Sequence, residues 1–263
     1  MRADKFFAQR FGSRTKAAEA IEKGWVLVNG KKIRPKDEVS DTDQISFEEV
    51  EEQYVSNGGY KLSRAFSAFP FDCTEKTFAD IGASTGGFTD CLLQRGAKRV
   101  FAIDVGESLL HERLKGDSRV LLYENTNARY LEKEDFPCEI DGVVTDVSFI
   151  SLRLILPSIQ RILSEGGSAF VLVKPQFECE KKNIGKSGIV HPSAHAQIVK
   201  KVLDYCTECN LYPHGVVNAP IRKGKNIEYV LYLKRTPQEA QSAQEIVQDV
   251  QRFVERYKQG TLV

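Results

Sequence analysis

The stretch from Asp80 to Asp90 reads D-I-G-A-S-T-G-G-F-T-D. Phe78 and Ala79 lead into it, with Ile81 continuing the apolar run, and C-L-L-Q-R leads out of it to Gly96. A short strand, a glycine turn and the start of a helix therefore stand in one line. Such a turn lets the backbone come close to a ligand, with free N–H groups at the helix start facing it. Two common ligands are excluded by what is missing. A dinucleotide fingerprint needs G-x-G-x-x-G, whereas Gly82 is followed by Ala83 and Ser84, with Gly86 and Gly87 beyond. A phosphate loop needs lysine after its last glycine, and Phe88 stands there. Asp80 ends this strand and Asp104 ends the next, R-V-F-A-I-D. A carboxylate can hold a ribose diol, so a nucleoside fits better, and S-adenosylmethionine is the remaining candidate.

Four more polar residues fall where strands end or helices begin. Lys61 lies in G-G-Y-K-L-S-R-A-F, Asp146 closes V-V-T-D, Lys174 closes F-V-L-V-K, and Glu228 opens E-Y-V. An ionised lysine behind F-V-L-V is costly to bury alone, so carboxylates are expected beside it. Two lysines with two carboxylates meet that demand. Two close amines also disfavour each other's charge, which lowers one pKa and yields a neutral amine able to act as a base. That chemistry suits a ribose hydroxyl, a poor nucleophile at neutral pH. Methyl transfer to it from a sulfonium donor needs the hydroxyl positioned and its proton removed.

The elements that must carry these residues alternate. Strands are expected at Thr77–Ile81, Arg99–Ile103, Arg119–Tyr123, Gly142–Asp146, Ser168–Val173, Tyr212–Val217 and Glu228–Leu233. Helical stretches separate most of them, notably Ser151–Leu163 and Ser193–Cys209. This is a doubly wound α/β pattern, with ligands at the C-terminal ends of the strands. Pro237 to Lys258 reads as an amphipathic helix that packs on the domain, with Ile246, Val247, Val250, Phe253 and Val254 on one side.

No segment approaches the run of about 18 apolar residues that a spanning helix needs, so stable membrane insertion is not expected. The six cysteines are scattered through a chain long enough to build a core, which points to reduced thiols in the cytoplasm. Cys206 and Cys209 form one C-x-x-C without a second pair, which favours packing over zinc; no metal is expected. His191 and His195 are read as structural. The net charge of +1 hides an asymmetry: Met1 to Asp37 holds ten basic residues against four acidic ones, and an acidic run follows from Glu38 to Glu52. A polyanion partner is implied for the first part alone.

That first part looks like a small module of about 48 residues. Phe6, Phe7, Phe11, Ala17, Ala18 and Ile21 follow helical spacing, with Ser13 before the second helix and Gly24 after it. Trp25–Val28 reads as a strand, and Asn29-Gly30 signals a hairpin turn. Arg10, Arg14 and Lys16 near the helix junction can face a phosphate backbone. The motifs R-A-D-K-F-F, G-S-R-T-K-A-A-E-A-I and G-W-V-L-V-N-G resemble the small RNA-binding domain first described in ribosomal protein S-four. The resemblance implies RNA contacts from Arg2, Lys5, Arg10, Arg14 and Lys16. The expected division is an RNA-binding domain over 1–48, a linker over 49–57 and a second domain over 58–263.

Lys61, Asp146, Lys174 and Glu228 resemble the K-D-K-E tetrad of FtsJ-like ribose 2'-O-methyltransferases. With the preceding module, and with N-T-N-A-R-Y-L and L-V-K-P-Q-F-E, the chain resembles the TlyA (haemolysin A) family. The resemblance implies a Rossmann-like methyltransferase sheet of seven strands, the last antiparallel, and methylation of a cytidine ribose in ribosomal RNA. The large subunit (23S) is the main expected target, with the small subunit (16S) as a further one. It casts Lys174 as the base, Lys61 as orienting the hydroxyl or its neighbouring phosphate, Asp146 as holding Lys174, and Glu228 as completing the network. Asp80, Gly82, Ser84, Gly86 and Asp104 would line the cofactor. Asn127 reads either as a residue near the adenine or as a turn residue. Lys181 to Lys186, with Arg222, Lys223 and Lys225, could flank RNA phosphates. Two other classes stay open: a non-catalytic ribosome-assembly factor, and a cytolysin, for which no apolar band is visible.

Overall fold

The computed structural model describes residues 1–47, 53–222 and 224–262. The chain divides into two compact units, Met1–Gln53 and Tyr54–Val263. Residues 48–52, in the acidic stretch and the expected linker, lie outside the described residues, as do Lys223 and the side chain of Lys16.

The first unit packs α1 (Ala3–Phe6) and α2 (Arg14–Glu22) on a small sheet of β1 (Val26–Val28), β2 (Lys31–Lys32) and β3 (Ile45–Phe47). Gly24, at φ 79°, lets the chain leave α2, and Asn29 and Gly30, at φ 52° and 75°, make the two-residue turn between β1 and β2. β1 is central, antiparallel to both neighbours. Ala3, Phe7, Ala17, Ile21, Val26, Val28 and Val39 form the core, which leaves the basic side chains outside.

In the second unit α3 (Asn57–Ala68) precedes β4 (Thr77–Ile81), α4 (Gly87–Gln94), β5 (Arg99–Ile103), α5 (Glu112–Lys115), β6 (Val120–Tyr123) and β7 (Ile140–Thr145). Then follow α6 (Leu156–Ile162), β8 (Leu163–Val173), α7 (Pro175–Glu178), α8 (His195–Glu208), β9 (Tyr212–Asn218), β10 (Tyr229–Lys234) and α9 (Ala243–Lys258). One seven-stranded sheet runs β6-β5-β4-β7-β8-β10-β9. Its pairs are parallel from β6 through β8, and β10 is antiparallel to both β8 and β9. The central strands are buried on both faces, which is why they read as unbroken apolar runs. Ala79 and Ile81 of β4 face the core shared with α6, α8 and α9, while Phe78 faces the core shared with α3 and α4. Strand order reverses between β4 and β7, and such a switch point opens a crevice at the carboxyl ends of the strands.

Several boundaries differ from the sequence reading: β7 covers Ile140–Thr145 rather than Gly142–Asp146, β8 starts at Leu163 rather than Ser168, and α6 starts at Leu156 rather than Ser151. α9 starts at Ala243 rather than Pro237, because Ser242 and Glu245 form a capping box that fixes its first turn. Glu228 precedes β10 by one residue and lies in the loop before it. Among the described residues no helix is long and apolar enough to cross a membrane.

Candidate active site

β4 delivers Asp80 to the switch point. Its side chain is fully buried, and Oδ2 accepts hydrogen bonds from the Thr89 N–H at 2.9 Å and the Thr89 hydroxyl at 2.6 Å. Oδ1 has no partner among the described residues. Burial pushes the Asp80 carboxyl up to about 7, against the opposing pull of the Thr89 bonds. The turn that follows needs its glycines: Gly82 and Gly86 stand at φ 79° and 90°, and Gly86 is the residue from which α4 starts. Ser84, also in the left-handed region at φ 49°, donates its N–H to Asp104 Oδ2 at 2.9 Å, and Gly106 N–H binds Asp104 Oδ1 at 2.9 Å. The Asp104 carboxylate is thus fixed against the glycine turn. A cavity of about 180 Å³ lies here, with Asp80, Gly82, Ser84, Asp146, Ser148 and Lys174 among its walls. Asn127 is exposed, and its side chain accepts the Arg129 N–H at 3.2 Å to cap a short turn.

The two lysines and two carboxylates meet at the same end of the sheet. Asp146 follows β7 directly, and its N–H bonds to the Ile81 carbonyl of β4. Lys174 follows the buried end of β8, and Pro175 behind it starts α7. The Lys174 Nζ lies 2.5 Å from Asp146 Oδ1 and donates to Ser148 Oγ at 2.6 Å. Lys61 reaches the other carboxylate oxygen, 3.2 Å from Asp146 Oδ2, and also lies 2.8 Å from Glu228 Oε2. α3 aims it there because Gly59, Leu62, Ala65 and Phe66 bury the opposite face, and Arg64 anchors the helix on the Asn218 carbonyl at 2.9 Å. Burial alone would lower Lys61, but Asp146 and Glu228 outweigh it and hold the amine above the usual lysine range. Of the two amines expected to suppress each other, Lys61 therefore stays an ammonium.

Ser148 is the contact that sequence reasoning missed. A serine two residues beyond a strand-end aspartate carries no signal by itself, since its value depends on where β8 ends. Lys61 and Glu228 also border a second, wider cavity of about 550 Å³, lined further by Tyr60, Gln176, Arg222, Lys225 and Asn226. Its volume suits a nucleotide, and Arg222 and Lys225 suit a phosphate.

The remaining candidates sit elsewhere. His195 is buried on α8, its Nδ1 2.8 Å from the Tyr229 hydroxyl, and His191 joins Ser193 at a short turn. Cys206 belongs to the core and Cys209 packs against it. Among the described residues no group of three or more His, Cys, Asp or Glu is placed to hold a metal ion. In the first unit Arg2 and Arg14 both bond to Asp4, Arg10 lies 3.8 Å over the Phe47 ring, and Lys5 is exposed.

Fold and site together define a methyltransferase. The profile of the FtsJ-like methyltransferases matches residues 54–235, and that of the S4 domain matches residues 1–45. Within that class the chain belongs to the TlyA (haemolysin A) family. It is 39% identical, over 92% of its length and 92% of the relative, to the Mycobacterium tuberculosis protein named 16S/23S rRNA (cytidine-2'-O)-methyltransferase TlyA. It is 42% identical to Hemolysin A of Brachyspira hyodysenteriae, over 84% of this chain and 93% of that one. A solved protein of Streptococcus thermophilus, provisionally named a hemolysin, superposes with a TM-score of 0.76 at 35% identity, covering 98% of both chains.

Proposed function

We propose that this protein methylates the 2'-hydroxyl of a cytidine in ribosomal RNA, chiefly 23S and also 16S, using S-adenosylmethionine in the cytoplasm. The observation that carries the proposal is the single network Glu228–Lys61–Asp146–Lys174, joined through contacts of 2.8, 3.2 and 2.5 Å beside the glycine-turn cavity. The name of the Mycobacterium tuberculosis relative supports the substrate. The match of the first unit to the S4 domain supports RNA capture.

The donor set suits the cofactor. A buried carboxylate oxygen without a partner, Asp80 Oδ1, and the carboxylate of Asp146 border the cavity, and both favour a cation. Asp80, Gly82, Ser84 and Gly86 would hold the cofactor, with Asp104 toward its ribose diol; Asn127 is a candidate near the adenine. S-adenosylmethionine, when bound, supplies an electrophilic methyl group on a sulfonium.

The protein's own work is positioning and proton transfer. Lys174 is the base: Asp146 and Ser148 hold its nitrogen, and as the neutral amine it accepts the 2'-hydroxyl proton as the ribose oxygen attacks, becoming an ammonium beside Asp146. Lys61 remains cationic and orients the hydroxyl or the phosphate beside it. Asp146 links the two amines, and Glu228 balances the charge of Lys61. Arg222 and Lys225 sit where the backbone of a target nucleotide would pass. Mapping 2'-O-methyl groups on ribosomal RNA from cells with and without the gene tests the proposal. One cytidine that loses its mark supports it, and an unchanged map contradicts it.

A further inference from the structure

The first unit buries a carboxylate in the middle of its basic surface. Asp4, on α1, has a side chain only 8% exposed. Arg2 forks onto it, with Nε 3.1 Å from Oδ1 and Nη2 2.7 Å from Oδ2. Arg14, at the start of α2, gives Nε and Nη2 to the same Oδ2, both at 3.1 Å. The backbone fixes the carboxylate in turn, since Ala3 N–H binds the Asp37 carbonyl and Asp4 N–H binds that of Pro35. The arginine side chains stay outside, 44% and 57% exposed. A guanidinium has five N–H donors. Each arginine uses two on Asp4 and keeps the others for a further acceptor. The Arg2 bond, joined by Arg14, holds the Asp4 carboxyl well below the usual carboxylate range, so Asp4 stays ionised between two cations and the trio still carries a net positive charge.

We propose that Asp4 is a positioning residue for RNA: it holds Arg2 and Arg14 side by side so that their outer N–H groups meet phosphate oxygens. This rests on the RNA-binding reading of the first unit. Arginine is the residue suited to phosphate because its planar fork is preorganised, and a fork already held gives up less freedom on binding. Charge alone predicts the opposite, because removing an acid from a basic surface strengthens attraction to a polyanion. The sign of the effect therefore separates the two accounts.

The test titrates the full chain with purified 23S ribosomal RNA at several salt concentrations. Asp4→Asn is expected to weaken binding about tenfold, although it adds positive charge. In an Arg2→Ala/Arg14→Ala background the same substitution is expected to have no further effect. Unchanged or tighter binding by Asp4→Asn overturns the positioning role. So does a loss that persists without the two arginines, since that is an effect on the fold. If Arg14→Ala weakens binding while Asp4→Asn does not, only the role of Asp4 falls. If neither substitution matters, this surface does not face RNA.

Discussion

Lys61 and Lys174 grip opposite oxygens of one carboxylate, that of Asp146, at 3.2 and 2.5 Å. The side chains involved are no more than 19% exposed. Removing the shared acid leaves the Lys61 ammonium and the Lys174 amine without the group that joins them, with Glu228 as the nearest counter-charge. Asp146→Asn is therefore expected to lower stability by about 3 kcal/mol, and to stop methyl transfer. Denaturant unfolding measures the first effect; a midpoint equal to wild type contradicts the shared-carboxylate account.

Asp80 is expected to make cofactor binding depend on pH. Burial pushes its carboxyl up to about 7 in the folded chain from an ordinary value of 3.8. Between those values the folded chain holds the extra proton, so this group's contribution to stability falls as pH rises through that window. A cationic ligand favours the ionised form, so affinity for S-adenosylmethionine is expected to rise as pH passes through about 7, with release of a proton. Calorimetry in buffers of different ionisation heat detects that proton. Affinity that is flat from pH 6 to 8 contradicts the expectation, and Asp80→Asn should abolish the dependence.

A side chain at Gly86 strains the glycine turn. A Cβ there would lie 2.4 Å from Leu114 Cδ1 and 2.7 Å from Leu110 Cδ1, at a φ of 90°. Gly86→Ala is expected to destabilise by about 2 kcal/mol or more, from left-handed strain together with overpacking. Urea unfolding checks this, and a loss below a few tenths would mean that the turn relaxes freely.

Much of the frame was legible because local chemistry and final structure agree. Thr77–Ile81 and Arg99–Ile103 are strands at the expected residues, since burial on both faces writes them as apolar runs. Asn29-Gly30 forms its turn because these residues accept positive φ. Asp146 and Lys174 could be singled out because charged groups at the ends of apolar strands need partners, and Lys61 and Glu228 joined them through the resemblance to the K-D-K-E tetrad. Their pairing, through opposite oxygens of Asp146, could not be read, because it depends on how β7, β8 and α3 dock. The same holds for Ser148 beside Lys174 and for Asp4 beneath two arginines. The helical reading from Pro237 overshoots the start of α9, because the capping box at Ser242 sets the true boundary.

The central claim is that Lys174 takes the proton from the attacking hydroxyl. Labelled methyl transfer from S-adenosylmethionine to ribosomal RNA, measured beside cofactor affinity for wild type and Lys174→Ala, tests it most directly. The account predicts a loss of about 10²–10⁴-fold in transfer, with cofactor still bound. Transfer undiminished in that variant would contradict it.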